Sequence, residues 1–316
     1  MRFALSQEQQ DFSATLDAYL SSVDTAAAAR SWASGEHEPG LKIWRGLAEV
    51  GVTALTVPER FDGIGADAVE LVLAFERLGY HVVPGPWVDT AAVLPALLED
   101  ELLADVAAGE TLASIVAPPE VPYALDADVA GLRVRVQDSG LSVFTPGRAL
   151  SSVDGARRLF TAEPGDPIGT AADPGRAFDL GALATAAQLL GAGQWLLDST
   201  VAYARQRKQY GREIGQYQAV KHLLADVATK LELARPLLYG AAIAEGTPTR
   251  PRDVSAAKVA AADAAHLAAR TGLQVHGAIG YTDEHTLGLR LTKVRALVSA
   301  WGTQAFHRSR VLEALV

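Results

Sequence analysis

The chain has 316 residues, of which 49% are hydrophobic and 21% charged, with a formal net charge of -9. This is an ordinary globular composition, long enough for two or three packed units around a large core. The acidic balance argues against a nucleic-acid partner, which needs a basic face, and the lack of cysteine excludes disulfides, thiolate metal sites and cysteine nucleophiles.

The first stretch, "MRFALSQEQQDF", has no apolar core of the signal-peptide kind, so a cytoplasmic location is expected. From Ser6 to about Gly109 the pattern is helical. "SQEQQDFSATLDAYL" opens on a Ser N-cap with Gln three residues on, close to a capping box, and Leu5, Phe12, Leu16, Tyr19 and Leu20 share a face. "GLKIWRGLAEVG" and "DAVELVLAFERLGY" predict two more helices, stopped by Gly51 and Gly79, with a Pro- and Gly-bearing loop between them.

The texture changes from about Thr111 to Asp179. "TLASIVAPP", "GLRVRVQD", "LSVFTPG" and "ARRLFTA" predict short strands, the second alternating apolar and polar residues with a period of two. From Leu180 onward the chain reads as helix again. The uncharged run Leu180 to Leu197 is rich in Ala and carries glycines and glutamines, so it predicts a buried helix rather than a membrane span. The expected organisation is a helical domain (1–110), a small β-domain (111–179) and a helical bundle (180–316), an α+β class dominated by α.

Phosphate-binding glycine loops, G-x-S-x-G and H-E-x-x-H are all absent, and the seven histidines are scattered, so lone residues such as His222 and His266 carry no metal reading. One stretch stands out. "YARQRKQYGREIGQYQ", Tyr203 to Gln218, sets Arg205, Arg207, Lys208 and Arg212 among three tyrosines in an acidic protein. It reads either as a solvated helix end, where cations meet the C-terminal dipole, or as a turn whose guanidinium and amide groups suit a pyrophosphate. "LQVHGAIGY", Leu273 to Tyr281, similarly offers either polar groups beside a glycine turn or a plain helix C-cap at Gly277.

Together these stretches resemble the flavin-dependent acyl-CoA dehydrogenases over nearly the whole length. "YARQRKQYGREIGQYQAVKHLLAD" is similar to the family's Y-x-x-x-R-x-Q-[FY]-G-x-x-I-x-x-[FY]-Q-x-[VL]-x-x-x-L-A-D, and "LQVHGAIGYTDEH" to its Q-x-x-G-G-x-G-[FY]-x-x-E, with Ala278 in place of the second glycine. "LAEVGVTALTVPERFDGIGAD" and "FERLGY" match its N-terminal segments. The resemblance implies that a carboxylate takes the α-proton of an acyl-CoA thioester while the β-hydrogen leaves as hydride to FAD, which then passes electrons to an electron-transfer-flavoprotein-like acceptor. It also implies FAD contacts across a subunit interface, at Arg207, Gln209, Tyr210 and Gln218 and at the turn Gln274, Val275, His276, Gly277 and Ala278.

The departures from the family are informative. Trp301, in "SAWGT", stands where the family carries its catalytic Glu, and Gly181 stands at the alternative seat of that base. Proton abstraction needs a positioned base, which neither residue provides. The β-domain also lacks the family's T-E-P-x-x-G-S-D and W-x-T elements; "TAEPGD", Thr161 to Asp166, lies too late to replace them. The expectation is therefore a base-less subunit that completes the FAD site of a full-length partner in an α2β2 assembly, as in actinobacterial steroid-degrading systems, with a steroid-derived acyl-CoA as one substrate class. Two alternatives stay open: a self-sufficient enzyme using Glu284 as base, and a flavin-free acyl-CoA-binding scaffold.

Overall fold

The computed structural model describes residues 4–282 and 285–316. Its N-terminal third is built from α1 (Gln7–Ser22), α2 (Thr25–Ala33), α3 (Glu38–Glu49) and α4 (Ala68–Tyr80), followed by a π-helical segment (Val88–Val93), α5 (Leu94–Leu97) and α6 (Leu102–Ala107). The capping box forms as expected. Ser6 Oγ accepts from the Gln9 N–H at 3.2 Å, and Gln9 Oε1 accepts from the Ser6 N–H at 3.0 Å, satisfying two helix-end donors. Gly51, at φ +91, terminates α3 through a conformation open to glycine.

Gly79 does not stop α4, which runs on to Tyr80. Its role is close approach instead. A Cβ there would lie 2.1 Å from the Gln188 carbonyl oxygen, and one on Gly191 would lie 1.9 Å from the Glu76 carbonyl oxygen. These two glycines let the backbones of α4 and the long α7 (Pro174–Gln206) touch.

The middle region holds five strands: β1 (Ala113–Val116), β2 (Ala124–Leu125), β3 (Leu132–Gln137), β4 (Gly140–Leu150) and β5 (Leu159–Thr170), in the order β1-β3-β4-β5-β2. Four of them fall on the expected stretches; β2 is too short to carry a period. β1 runs parallel to β3, and the remaining pairs are antiparallel. The change of texture at Leu180 falls inside α7, whose N-terminus is set earlier by Asp173 accepting the Arg176 N–H at 2.8 Å.

α7 packs with α8 (Gln218–Ile243), α9 (Arg250–His276), α10 (Leu287–Leu297) and α11 (Gln304–Glu313). It is long and apolar enough to cross a membrane, yet 83% of its apolar window is buried inside the protein. One apolar cluster runs from Leu16 and Trp44 through Ile115 and Val134 to Leu190 and Trp301, so all three regions share a core. Buried cations on α10 stitch the ends together: Arg290 donates to the Tyr80 carbonyl at 3.3 Å, and Lys293 to the Val83 carbonyl at 3.2 Å. Tyr80 is the last residue of α4, so Arg290 satisfies a helix-end carbonyl and the helix dipole together, while Lys293 holds the chain just beyond the helix.

Candidate functional site

The basic stretch is a β-hairpin. β6 (Lys208–Gln209) and β7 (Arg212–Glu213) pair antiparallel around Tyr210 (φ +50) and Gly211 (φ +81), the two positive φ values of a type I′ turn. Gly215, in the 3-10 turn Ile214–Gln216 that follows β7, lets the chain meet α7, where a Cβ would lie 3.0 Å from the Ala204 carbonyl oxygen. The Tyr217 hydroxyl donates to the Gln209 carbonyl at 3.1 Å, and the Arg212 guanidinium lies 4.0 Å from the Tyr217 ring centroid.

Three cations stay uncommitted. Among the described residues the side chains of Arg205, Arg207 and Lys208 make no hydrogen bond or ion pair, and all three are exposed. Beside them Gln218 opens α8, whose N-cap, Tyr217, supplies no side-chain acceptor. The first N–H groups of that helix are therefore open to a ligand oxygen, next to a free guanidinium. Those donors fit a pyrophosphate, the anionic centre of FAD.

The second segment meets the first through Tyr203. Its ring stacks on His276 at 4.4 Å, and its hydroxyl donates to the His276 carbonyl at 3.4 Å. His276 itself is turned inward, with 4% of its surface exposed and Nδ1 donating to the Gly272 carbonyl at 2.8 Å. Burial pushes its pKa down, keeping the ring neutral. It therefore offers a ligand backbone rather than side chain. Gln274 and Ala278 are exposed, Val275 is half-buried, and Gly277 (φ +63) caps α9 with open space where a Cβ would be. Glu284, the reserve base, lies outside the described residues.

Trp301 and Gly181 are in direct contact. A Cβ on Gly181 would fall 2.5 Å from the indole Cδ2 and Cε3. The indole is 5% exposed and sits at φ +53, a left-handed conformation that costs a non-glycine residue about 1 kcal/mol. A hydrogen bond to its backbone holds it there. His307 Nε2–H donates to the Trp301 carbonyl at 2.9 Å, a tautomer that leaves Nδ1 to accept from the Ser255 hydroxyl at 3.0 Å. The indole and the buried Asp89 line the same cavity. Burial first, then the neighbouring cations Lys258 and Arg310, bring His307 down to about 4, so it works as a neutral clamp.

Sequence reasoning missed Asp89. It lies in the π-helical segment, 2% exposed, with Oδ2 accepting the Ile115 N–H at 2.9 Å. Thr90 beside it accepts the Ala113 N–H at 2.9 Å, so the segment hydrogen-bonds the free edge of β1. Burial raises Asp89 to about 7. π-helical turns often mark functional sites, but their extra residue leaves no periodic signature. An aspartate within an apolar run was the available clue. Asp126, also fully buried and raised to about 7, accepts the Trp32 indole N–H at 3.1 Å and ties the first domain to the sheet.

Comparison with known proteins identifies the family. The acyl-CoA dehydrogenase N-terminal domain matches residues 6–100, and the family's C-terminal domain matches residues 173–316. The acyl-CoA dehydrogenase IpdE2 of Mycobacterium tuberculosis is 31% identical, over 90% of this chain and 89% of that protein. The fold is shared with the ChsE4-ChsE5 complex of M. tuberculosis (TM-score 0.84, 23% identity, 100% of this chain and 99% of that chain). It is shared too with a variant of the Tcur3481-Tcur3483 steroid ACAD (TM-score 0.85, 20% identity, 98% of each chain). The chain belongs to the acyl-CoA dehydrogenases, a family of FAD-dependent oxidoreductases.

Proposed function

We propose that this chain is the base-less subunit of a heteromeric acyl-CoA dehydrogenase that desaturates an acyl-CoA between its α and β carbons. The observation that carries the reading is the contact between Trp301 and Gly181. The two positions that the family uses for its base hold an indole and a glycine pressed together, so no carboxylate occupies either seat. A full-length partner then supplies the base and the pocket for the reacting acyl group.

What this chain contributes is a set of outward-facing donors. Arg207, the Gln218 amide and the open N–H groups of α8 neutralise and orient the pyrophosphate of an FAD shared with the partner, while the exposed Gln274 and the backbone at Gly277 and Ala278 take its far end. Bound flavin supplies the hydride acceptor. Two of the fold relatives, the ChsE4-ChsE5 complex and the Tcur3481-Tcur3483 steroid ACAD, carry paired names, which favours a heteromeric assembly and a steroid-derived acyl-CoA.

The test is co-expression with a full-length homologue that retains its glutamate. Expected are a colourless chain when expressed alone and a yellow, active complex. A chain that alone binds FAD, forms a homotetramer and dehydrogenates an acyl-CoA would sink the proposal.

A further inference from the structure

The two segments that face the cofactor leave the bundle from different helices. The hairpin departs from the end of α7 at Arg207, and the 274–278 turn spans the end of α9 at His276. One dinucleotide engages both without a reordering cost only if the distance and angle between those helix ends are already set.

Tyr203 and His276 meet between them. Tyr203 stands one helical turn before Arg207, and its carbonyl accepts the Arg207 N–H at 2.9 Å, so the same residue launches the hairpin. Its ring lies on that of His276 with centroids 4.4 Å apart and planes 22° from parallel, and its hydroxyl donates to the His276 carbonyl. His276 is held from two further sides. Its Nδ1–H donates to the Gly272 carbonyl at 2.8 Å, which fixes the tautomer and the ring plane. Its ring also meets that of His285 edge to face at 4.9 Å, and His285 Nδ1 accepts the Leu287 N–H at 3.0 Å where α10 begins. Gly272 brings α7 and α9 close just before the rings, since a Cβ there would lie 3.2 Å from Thr200 Oγ1. The stacked pair is therefore a spacer of set thickness between two helix ends.

The residue type at 276 points the same way. His276 Nε2 is buried and has no hydrogen-bond partner among the described residues. A phenylalanine would stack on Tyr203 without that orphaned lone pair, which costs about 1–3 kcal/mol. What the imidazole has and a phenyl ring lacks is the Nδ1–H anchor, and that anchor orients the stack.

We propose that Tyr203 and His276 are positioning residues for the cofactor, their stack holding the 207–218 hairpin at the separation from the 274–278 turn that one FAD spans. They act through Arg207 and through the backbone at Gly277 and Ala278. The inference rests on the FAD reading above and adds to it the device that sets the site's geometry.

The test is fluorescence titration of FAD into the complex of this chain with its full-length partner, stripped of flavin, which reads a dissociation constant independently of turnover. Tyr203→Leu removes the stack and should raise that constant about tenfold, the weight of an aromatic pair lost from a preorganised site. Tyr203→Phe keeps the ring and should bind FAD as the wild type does. His276→Leu removes the same stack from the other side and serves if Tyr203→Leu fails to fold. Gly79→Ala, at the α4–α7 contact beside Gln188, is the control for lost stability: it should lower the urea midpoint and leave the FAD constant unchanged. An unchanged constant in Tyr203→Leu while Arg207→Ala weakens binding overturns this inference alone, and unchanged constants in both overturn the FAD reading. Equal weakening by Tyr203→Leu and Gly79→Ala assigns the effect to stability and overturns the positioning role. Equal weakening by Tyr203→Phe and Tyr203→Leu overturns the stack in favour of the hydroxyl.

Discussion

Gly181→Ala tests the central contact of the site, because its sign depends on one neighbour. In an open helix interior this substitution stabilises by about 1 kcal/mol, since glycine loses more backbone freedom on folding than alanine. Here the new methyl would sit 2.5 Å from two indole carbons of Trp301, far inside van der Waals contact. The ring cannot swing away freely, since it is 5% exposed and His307 holds its carbonyl. Overpacking of this kind costs about 1–3 kcal/mol, so the expected net effect is a loss of up to about 2 kcal/mol. In a Trp301→Leu background the ring is gone, and Gly181→Ala should return to a gain of about 1 kcal/mol. The measurement is a double-mutant cycle on the full chain by urea unfolding, reading the midpoint at constant m-value. Gly181→Ala having the same sign and size in both backgrounds would falsify the contact, and with it the view that the indole fills the seat of the base.

Further outcomes follow from other contacts. Arg207→Ala should leave the fold of a complex with the full-length partner intact, because the side chain is exposed and makes no hydrogen bond or ion pair among the described residues, yet lower its flavin absorbance per protein; undiminished flavin content would remove Arg207 from the cofactor site. Gly79→Ala should cost about 2 kcal/mol or more in urea, since its methyl would meet the Gln188 backbone at 2.1 Å and neither helix can yield without moving the other. Asp126 is raised from 3.8 to about 7. Between pH 4 and 7 the folded chain therefore keeps a proton that the unfolded chain has released, and this group makes stability fall as pH rises, by up to about 1.4 kcal/mol per pH unit. Asp126→Asn retains the acceptor for Trp32 and should flatten that slope relative to wild type. His307 acts in the opposite sense: with its pKa lowered to about 4, it makes stability rise from pH 4 to about 6.5, and His307→Gln should remove that rise.

Much of this protein was legible in one dimension, wherever the information is local. The capping box at Ser6, the two-residue alternation of "GLRVRVQD" and the Gly51 stop each depend on neighbours a few residues away. The spaced pattern from Tyr203 to Asp226 identified the family for a similar reason, since spacing and residue type are sequence properties. Gly79 was misread as a stop because a glycine that ends a helix and one that lets two helices touch look alike until the second helix is in place. The inward turn of His276 needed Tyr203, and the hairpin at Tyr210 needed its strands paired. Above all, the sequence marked Trp301 and Gly181 as two separate vacancies, far apart along the chain. Only the folded bundle brings the two residues into contact, because packing lays the indole on the bare face of α7 while His307 holds its carbonyl.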